Sequence, residues 1–266
     1  MQFPKTCVII PCYNEADRLD ILKIERYLIE NKSVEIVFAN DGSTDKTSEV
    51  LSNFRNGLID LDLKNRIHIL DFKHNEGKAE VVRKGMLFAG DNSYYNSLNL
   101  DAKIHSDGKI DCEYFGFWDA DLATPLSELN WFYHFIENGE SYWLLMGSRV
   151  ARLGSNINRT FFRHYTGRIF ATFISMGLKW KVHDSQCGAK LLRKDFVPIF
   201  REPFKTKWLF DVEILLRFKS LHGNESLKHI IEIPIRDWQD VKGSKIKLKD
   251  FLKVPYQIWK VFRDYR

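Results

Sequence analysis

Short apolar runs alternate with helical stripes along the first half of the chain. The runs at residues 8–10, 34–39 and 66–72 are rich in Val, Ile, Leu and Phe and predict strands. Ser43 or Thr44 is expected to cap the second of the intervening helices. The alternation predicts βαβ units, an α/β fold with a mainly parallel central sheet flanked by helices. The helical stripes are Ile21, Ile24 and Leu28, then Thr47, Val50, Leu51 and Phe54, then Ala79, Val82, Met86 and Ala89 within residues 78–89.

A polar stretch interrupts this pattern at residues 90–112, where Asn, Ser, Asp and Gly recur. Such a stretch predicts a surface insertion between two regular elements. No linker composition or internal repeat divides residues 1–244, which predicts a single domain. The elements predicted after the insertion are a strand at 114–118, a helix opened by Pro125, a strand at 143–146, a helix over 158–176, a strand over 189–192 and a helix over 210–221.

The C-terminal residues 245–266 have a different pattern, typical of a basic amphipathic helix. We expect such a helix to contact anionic headgroups, although one that packs its apolar face on the protein explains the pattern as well. Pro255 must kink this helix or begin a new one. No run approaches the roughly 18 apolar residues of a spanning helix, so any membrane contact is expected to be peripheral. The apolar residues are Leu248, Phe251, Leu252, Trp259 and Phe262, and the cations placed for headgroups are Lys247, Lys249, Lys253, Lys260 and Arg263.

Composition narrows the classes of function. Hydrophobic residues make up 44% of the chain and aromatic residues 14%, which is typical of a globular protein. The net charge of +5 is compatible with phosphate-bearing ligands or an anionic membrane and is too weak to predict nucleic-acid binding. The four cysteines include no C-x-x-C pair, so neither a zinc site nor a disulfide framework is favoured. With no signal-peptide pattern evident, a cytoplasmic location is expected.

Acidic residues follow three of the predicted strands. Glu15 follows the first, Asp41 the second, and Asp119 and Asp121 follow the strand at 114–118. Because the carboxyl ends of parallel strands meet at one edge of a sheet, we expect these groups to converge. Two carboxylates one residue apart can share a hard divalent cation, Mg²⁺ or Mn²⁺, whose other ligands are water and diphosphate oxygens. Taken alone, Asp41 fits a turn aspartate equally well.

Other common catalytic patterns are not found. The sequence contains neither G-x-G-x-x-G nor G-x-x-x-x-G-K-[ST], which disfavours a dinucleotide site and a P-loop. Cys187 lies near His183 in sequence, but nothing marks it as an activated nucleophile, so a structural thiol explains it better.

A series of short motifs, however, occurs in a recognisable order. The first motifs resemble those of the inverting family 2 glycosyltransferases, and the later ones resemble the dolichyl-phosphate β-glucosyltransferase branch of that family. No clear Q-x-x-R-W signature is present, which argues against a processive synthase. The motifs are P-C-Y-N-E at 11–15, N-D-G-S-T-D at 40–45, N-E-G-K at 75–78, D-A-D at 119–121 and G-S-R at 147–149, followed by D-S-Q-C-G-A-K at 184–190, W-L-F-D-V-E at 208–213 and W-Q-D-V-K-G-S-K at 238–245.

The resemblance implies an A-type nucleotide-diphosphosugar transferase fold. It also implies inverting transfer of a hexose from a nucleotide-diphosphate sugar, with UDP-glucose favoured. Asp119 and Asp121 would hold the metal, and Asp41 would accept from a ring N–H of the base. Lys78, at a helix start, fits a solvated surface lysine equally well. The nucleotide-sugar site implied in this way consists of Pro11, Tyr13, Glu15, Asp41, Lys78, Asp119 and Ala120.

Polyprenyl or dolichyl phosphate is the preferred acceptor. The second pKa of a phosphate monoester, about 6, leaves it largely ionised at neutral pH, so the nucleophile needs no general base. The phosphate nucleophile needs nearby cations instead, and the guanidinium of arginine can donate to two phosphate oxygens at once. Each available cation is also explained as a surface or helix-pairing residue. These cations are Arg149, Arg163, Lys190 and Arg193, of which the last three are assigned to the acceptor phosphate.

Two alternatives remain open. A saccharide hydroxyl in surface-polysaccharide assembly would need a carboxylate base, for which Asp184, Asp211 and Glu213 are the candidates. Asp211 fits a helix cap equally well. A non-catalytic protein that binds nucleotide sugars would keep the same fold, although the intact acidic set argues against it. The residues expected to act in catalysis are Asp121, Arg149, Asp184 and Asp211.

Overall fold

The computed structural model of the protein describes residues 3–137, 142–158, 161–239 and 254–265. Side chains are described over the same ranges except at 137, 161–166, 254 and 255. Residues 245–253 and 266 of the predicted C-terminal helix therefore lie outside the described residues. The side chain of Arg163 also lies outside them.

The strands are β1 (Thr6–Cys12), β2 (Val34–Asp41), β3 (Ile67–Phe72), β4 (Ala102–His105), β5 (Tyr114–Trp118), β6 (Leu144–Ser148), β7 (Asn156–Asn158), β8 (Ala189–Arg193), β9 (Ile230–Pro234) and β10 (Asp237–Gln239). The α-helices are α1 (Ile21–Glu30), α2 (Thr47–Gly57), α3 (Leu61–Asn65), α4 (Lys78–Gly90), α5 (Asn92–Ser97), α6 (Glu128–Glu137), α7 (Phe161–Leu178), α8 (Phe210–His222) and α9 (Val254–Asp264). Two 3₁₀ helices span Lys194–Phe200 and Gly223–Lys228.

The chain divides into two compact units. The first unit contains Met1–Leu122 and Ala189–Pro203, and the second contains Ala123–Gly188 and Phe204–Arg266. The predicted division into one domain over residues 1–244 and a terminal segment from 245 stays a prediction.

The first unit is built on a mainly parallel sheet. Its strands follow the order β4-β3-β2-β1-β5-β8, in which β1, β2, β3 and β5 are parallel while β4 and β8 run antiparallel to their neighbours. Val8, Ile9 and Ile10 of β1 are all fully buried. An unbroken apolar run of this kind fits a central parallel strand that is covered on both faces. The predicted α/β architecture is therefore found here.

The predicted insertion at residues 90–112 contains regular structure that its composition hid. Helix α5 lies within it, and β4 pairs with β3 from Phe72 opposite Ala102 to Ile69 opposite His105. The strand was missed because it is short and carries little apolar pattern, as is common for an edge strand. Outside β4, Arg55 of α2 binds Asp107 at 2.5 Å and donates to the Ile67 carbonyl of β3 at 2.8 Å, which anchors the segment to the sheet.

Two helices begin differently from the sequence prediction. Neither Ser43 nor Thr44 caps α2, because the Ser43 hydroxyl donates to Asn40 Oδ1 and accepts from the Asn14 N–H. The N–H of Thr47 instead donates to Asp45 Oδ1. Helix α6 begins at Glu128 rather than at Pro125, because residues 125–128 form a turn in which the Glu128 N–H bonds the Pro125 carbonyl at 3.0 Å.

In the part of the second unit that the structure describes, the strands form two short parallel pairs. Strand β6 pairs with β9, and β10 pairs with β7. The buried Glu128 carboxylate accepts the Arg236 N–H at 2.9 Å, which links the start of α6 to the connection between β9 and β10. Helix α8 is buried at every position from Phe210 to Phe218 and forms the centre of this unit. Within the described ranges, none of the helices combines the length and apolar character that crossing a bilayer demands.

Candidate functional site

The loops that follow β1 and β2 are fastened to each other. The backbone of Asn14 is left-handed, with φ of 52°, and its N–H donates to Ser43 Oγ at 2.9 Å. Its side-chain oxygen accepts the Thr44 N–H at 2.8 Å. The Glu15 N–H donates to Thr47 Oγ1, also at 2.8 Å. These bonds fix the loop that contains Pro11, Tyr13 and Glu15 against the loop that follows Asp41.

Glu15 has a cationic partner in its own loop. Its carboxylate is buried and accepts from Arg18 Nη2 at 2.5 and 2.6 Å. Pro11 and Tyr13 on the same loop are half-buried. A ligand bound at this loop would therefore meet a rigid surface.

Asp41, the last residue of β2, binds the segment that leads into α4. Its Oδ1 accepts the Glu76 N–H at 2.8 Å, and its Oδ2 accepts the Gly77 N–H at 2.8 Å and the Asn75 side-chain amide at 2.9 Å. Burial raises the pKa of Asp41 above its ordinary value, although the N–H groups of Glu76 and Gly77 act in the opposite direction. The carboxylate thus has a structural role at this position, and its contact with a nucleotide base stays a prediction.

Position 42 requires glycine for two reasons, its left-handed backbone conformation and the lack of room for a Cβ atom. Its φ is 62°, and a Cβ atom there would lie 2.5 Å from the His74 carbonyl carbon and 2.6 Å from the Asn75 nitrogen. The N-D-G sequence therefore lets the β2 loop approach the segment before α4 closely enough for the Asp41 contacts.

The D-x-D pair lies in a tight turn after β5. The Leu122 N–H bonds the Asp119 carbonyl at 3.1 Å, and Leu122 has φ of 49°. Asp119 forms an ion pair with Lys78, the first residue of α4. Ala120 is buried, while Asp121 is partly exposed. Lys78 is therefore placed beside the D-x-D turn instead of projecting alone into solvent.

The donor set of this turn fits a hard divalent cation, since two carboxylates one residue apart at a strand end are the oxygen ligands that Mg²⁺ and Mn²⁺ take. A group of three or more His, Cys, Asp or Glu side chains arranged for a metal does not occur among the described residues.

The structure brings most of the predicted donor residues to one edge of the first unit. Pro11, Tyr13 and Glu15 follow or end β1, Asp41 ends β2, and Asp119 to Asp121 follow β5, all at the carboxyl ends of neighbouring parallel strands. That edge is where open α/β sheets bind ligands.

Lys190 and Arg193 lie at opposite ends of β8. Lys190 is fully buried, sits opposite Phe117 of β5, and places its Nζ 5.3 Å from the centre of that ring. Arg193 sits opposite Tyr114, at the amino end of β5, and binds Asp195 at 3.0 Å. Because β8 is antiparallel to β5, Arg193 is not brought together with the D-x-D turn.

In the second unit, Arg149 and Asp184 form one bidentate pair. Arg149 Nε and Nη2 each donate to the carboxylate at 2.8 Å, and the Arg149 N–H donates at 2.9 Å. The guanidinium carbon also lies 6.0 Å from the centre of the Trp238 ring. Two residues predicted for separate roles are therefore partners of each other.

Sequence reasoning missed Glu232 of β9, which holds the loop that carries Asp184. Its carboxylate accepts the N–H of His183 at 2.9 Å and of Asp184 at 2.7 Å, and it contacts His183 Nδ1 at 2.9 Å. The signal was a single carboxylate inside the apolar run I-I-E-I-P. Beside this loop, the Ser185 hydroxyl is buried and has no hydrogen-bond partner among the described residues.

The acidic residues of α8 differ in environment. Glu213 is fully buried and accepts the N–H groups of Lys205 at 2.9 Å and Thr206 at 2.7 Å, together with the Tyr265 hydroxyl at 3.0 Å. It therefore orders the segment before α8. Asp211 is buried in the first turn of α8, where the N-cap position is occupied by Leu209, so Asp211 is not the cap.

The fold and the carboxyl-edge arrangement define an A-type nucleotide-diphosphosugar transferase. The family model described as Glycosyl transferase family 2 matches residues 7–198, and the chain belongs to that family. The protein is thus a glycosyltransferase, as the motifs predicted.

Curated relatives cover nearly the whole chain. A dolichyl-phosphate beta-glucosyltransferase of Trichomonas vaginalis is 26% identical over 97% of this chain and 73% of its own length. A dolichyl-phosphate beta-glucosyltransferase of Saccharomyces cerevisiae is 30% identical over 91% of this chain and 69% of its own length. The resemblance to this branch is confirmed.

Solved structures share the fold. Glucosyl-3-phosphoglycerate synthase from M. tuberculosis, crystallised with Mn²⁺, uridine-diphosphate and glucosyl-3-phosphoglycerate, has a TM-score of 0.59 at 14% identity, covering 98% of this chain and 80% of that one. Mannosyl-3-phosphoglycerate synthase from Rubrobacter xylanophilus has a TM-score of 0.61 at 14% identity, covering 99% and 74%. These likenesses confirm the predicted A-type fold and carry no argument about substrate.

Proposed function

We propose that this glycosyltransferase transfers a hexose, with inversion, from a nucleotide-diphosphate sugar to polyprenyl or dolichyl phosphate. The observation that carries the proposal is the match of dolichyl-phosphate beta-glucosyltransferases to 97% and 91% of this chain. Glucose is the favoured sugar because both relatives are named for it, and UDP-glucose is the favoured donor from the motif resemblance.

Residues at the carboxyl edge of the first unit would bind the donor. Pro11, Tyr13 and Glu15 line the nucleotide on their fixed loop. Asp41 accepts from a ring N–H of the base. Mg²⁺ or Mn²⁺, held by Asp119 and Asp121, supplies charge neutralisation to the diphosphate when bound.

Lys78 would contact the diphosphate of the donor, next to Asp119 and Asp121. Its ammonium is already aligned by Asp119 at the N-terminus of α4. A helix N-terminus favours anions, so the lysine and the helix together stabilise the negative charge of the departing nucleoside diphosphate.

The environments of the candidate bases favour a phosphate acceptor over a sugar hydroxyl. Both oxygens of Asp184 accept from Arg149, and Glu213 accepts from two backbone N–H groups and Tyr265. Oxygens engaged in this way hold neighbouring groups of the protein in place, which favours an acceptor that needs no base. A phosphate oxygen attacks the anomeric carbon as the bond to the diphosphate breaks, and no proton has to be removed.

We assign Arg149 to catalysis, and we keep the predicted assignment of Lys190 and Arg163 to the acceptor phosphate. Arg149 is aligned by Asp184 and Trp238, so its orientation costs little entropy when an anion binds. Arg193 is left out because it binds Asp195 at the other end of β8.

Asp211 is the remaining candidate base, and the saccharide-hydroxyl alternative depends on it. The test compares wild type and Asp211→Asn with UDP-glucose, Mn²⁺ and either a short-chain polyprenyl phosphate or an alkyl glycoside. We expect transfer to the phosphate in both proteins, with an inverted glucosyl phosphate as product. Transfer to the glycoside alone, abolished in Asp211→Asn, would instead establish the saccharide acceptor.

The same assay tests the non-catalytic alternative. A protein that only binds nucleotide sugars would bind UDP-glucose in calorimetry but release no UDP with either acceptor. We place the enzyme peripherally on the cytoplasmic face of a membrane, where a lipid phosphate acceptor is presented.

A further inference from the structure

Helix α7 is apolar on two opposite faces. Ala171, Ile174 and Leu178 are buried and point into the second unit. The opposite stripe is formed by Ile169, Phe173 and Met176, which are 59%, 57% and 70% exposed. An amphipathic helix of a globular protein normally shows a polar outer face. The outer stripe therefore needs an apolar environment that the described part of the unit does not supply.

Helix α9 adds two aromatic side chains to this apolar surface. Tyr256 and Trp259 are 64% and 56% exposed, and their ring centres lie 6.1 Å apart. Arg263 lies over the Trp259 ring at 4.9 Å. Aromatic rings bordered by a cation are typical of side chains at a membrane–water interface.

The two helices touch at Gly177. A Cβ atom at this position would overlap the Phe262 ring, so the absence of a side chain lets α9 pack against α7. Gly177 directly follows Met176, so the exposed α7 stripe ends one residue before this helix contact. Phe262 was predicted to enter the acyl boundary, but it packs on Gly177. Trp259, from the same prediction, is exposed.

The basic side chains of α7 and α9 favour an anionic partner for this exposed surface. Helix α7 contains Arg163 and Arg168 and no Asp or Glu. The only acid in α9 is Asp264, which pairs with Arg263. A second copy of the chain would bring these cations against each other in a symmetric contact, whereas acidic lipid headgroups complement them.

We propose that the exposed face of α7 and α9, formed by Ile169, Phe173, Met176, Tyr256 and Trp259, docks on the surface of an anionic bilayer. The five side chains enter the acyl boundary, and Arg168, Lys260 and Arg263 meet the headgroups. The inference rests on the proposed function only in that a lipid acceptor requires membrane access.

The test is flotation of the full chain with vesicles that contain no polyprenyl phosphate. Phosphatidylcholine vesicles with and without phosphatidylserine are compared for wild type, for Phe173→Ser with Met176→Ser, and for a matched control. The control is Leu22→Ser with Ile59→Ser, which removes two apolar side chains of the first unit that are 71% and 95% exposed. Thermal unfolding checks that all three proteins are folded.

We expect wild type and control to float with phosphatidylserine vesicles, and raised salt to weaken this binding. The α7 double variant should bind roughly tenfold or more weakly, because two apolar side chains no longer leave water. Equal binding of the two double variants would overturn the proposal. So would a wild-type dimer that the α7 substitutions dissociate without changing flotation, since a second copy would then cover the face.

Transfer to a short, water-soluble polyprenyl phosphate separates this inference from the proposed function. The α7 double variant should retain wild-type transfer in solution. If wild type does not float with anionic vesicles but still transfers glucose to the soluble acceptor, the docking surface is refuted and the proposed function stands. If wild type floats but transfers glucose to no phosphate acceptor, the proposed function is refuted and the docking surface stands.

Discussion

Asp41 in the first unit and Asp184 in the second are both buried carboxylates, but their hydrogen-bond donors differ in charge. Asp41 accepts from two backbone N–H groups and one amide, all of them neutral. Asp184 accepts from a backbone N–H and twice from the guanidinium of Arg149. The negative charge is therefore compensated by a full positive charge in the second unit only.

The difference shows what each position depends on. The donors of Asp41 belong mainly to the backbone before α4, so no single substitution removes them. Asp184 accepts two of its hydrogen bonds from the guanidinium of Arg149, so the loss of that side chain would remove a full positive charge from a buried carboxylate. Asp41 is thus held mainly through the geometry of the backbone, and Asp184 is held through a specific pair with a charged side chain.

The largest expected effect concerns a third carboxylate, Asp121, whose predicted partner is a metal ion. We expect Asp121→Ala to abolish transfer and to remove metal-dependent donor binding while the fold is kept, because the turn loses a charged oxygen ligand. Product formation and calorimetry with UDP-glucose, with and without Mn²⁺, measure both effects.

Asp111→Ala is the control, since it removes an exposed carboxylate of the same unit that pairs with Lys194. Wild-type turnover in Asp121→Ala, or full activity of wild type in excess EDTA, would refute the metal assignment.

The next largest effect is expected from breaking the Arg149–Asp184 pair. Arg149→Ala should lower the free energy of unfolding by about 3 kcal/mol, because the buried Asp184 carboxylate loses the guanidinium that donates to both of its oxygens. Lys228→Ala, which breaks an exposed pair with Glu225 in the same unit, should cost much less, because solvent screens an exposed ion pair. Urea denaturation measures both. Adding Asp184→Asn to Arg149→Ala should recover part of the loss, and a cost no larger than that of Lys228→Ala would contradict the comparison.

The two regions also differ in how far the sequence predicted them. The donor edge was predictable because parallel strands bring residues that follow them to one place, so Glu15, Asp41 and Asp119 could be grouped from local patterns. The Arg149–Asp184 pair joins residues 35 positions apart, and Glu232 lies 48 positions from Asp184. No periodicity reports such contacts, since they depend on tertiary packing.

Two other predictions were wrong because the local sequence pattern was misleading. Strand β4 was hidden by a polar stretch, because pairing to β3 satisfies its backbone without apolar side chains. Phe262 was assigned to the membrane face because the helical pattern gives periodicity and not the direction of the core. Its direction is set by the missing side chain of Gly177.

A smaller effect is expected from changing Asp41 alone. Asp41→Asn should weaken binding of the nucleoside diphosphate by about 1.5–3 kcal/mol, because a charged acceptor facing a base N–H becomes a neutral amide. Calorimetry measures the dissociation constant, and Asp101→Asn on the exposed β3–β4 edge serves as control. An unchanged dissociation constant would leave Asp41 with its structural role only.

The smallest effect is the dependence of stability on pH. Burial raises the pKa of Asp41, whereas the hydrogen bond from Lys194 lowers the pKa of Asp111. A raised folded pKa means that the native state holds the proton more tightly than the unfolded chain. The stability contributed by Asp41 is therefore full below the unfolded pKa of about 3.9 and is lost as pH rises through the folded pKa. For Asp111 the sign is reversed, and its contribution is lost as pH falls.

Urea denaturation of wild type, Asp41→Asn and Asp111→Asn across this acidic range tests both signs. The stability of wild type relative to Asp41→Asn should decrease with rising pH above about 4, because only the wild type loses its native-state proton there. The stability of wild type relative to Asp111→Asn should decrease as pH falls below about 4, because Asp111 then loses its charge. Slopes of the same sign for the two variants would show that burial does not control the ionisation of Asp41.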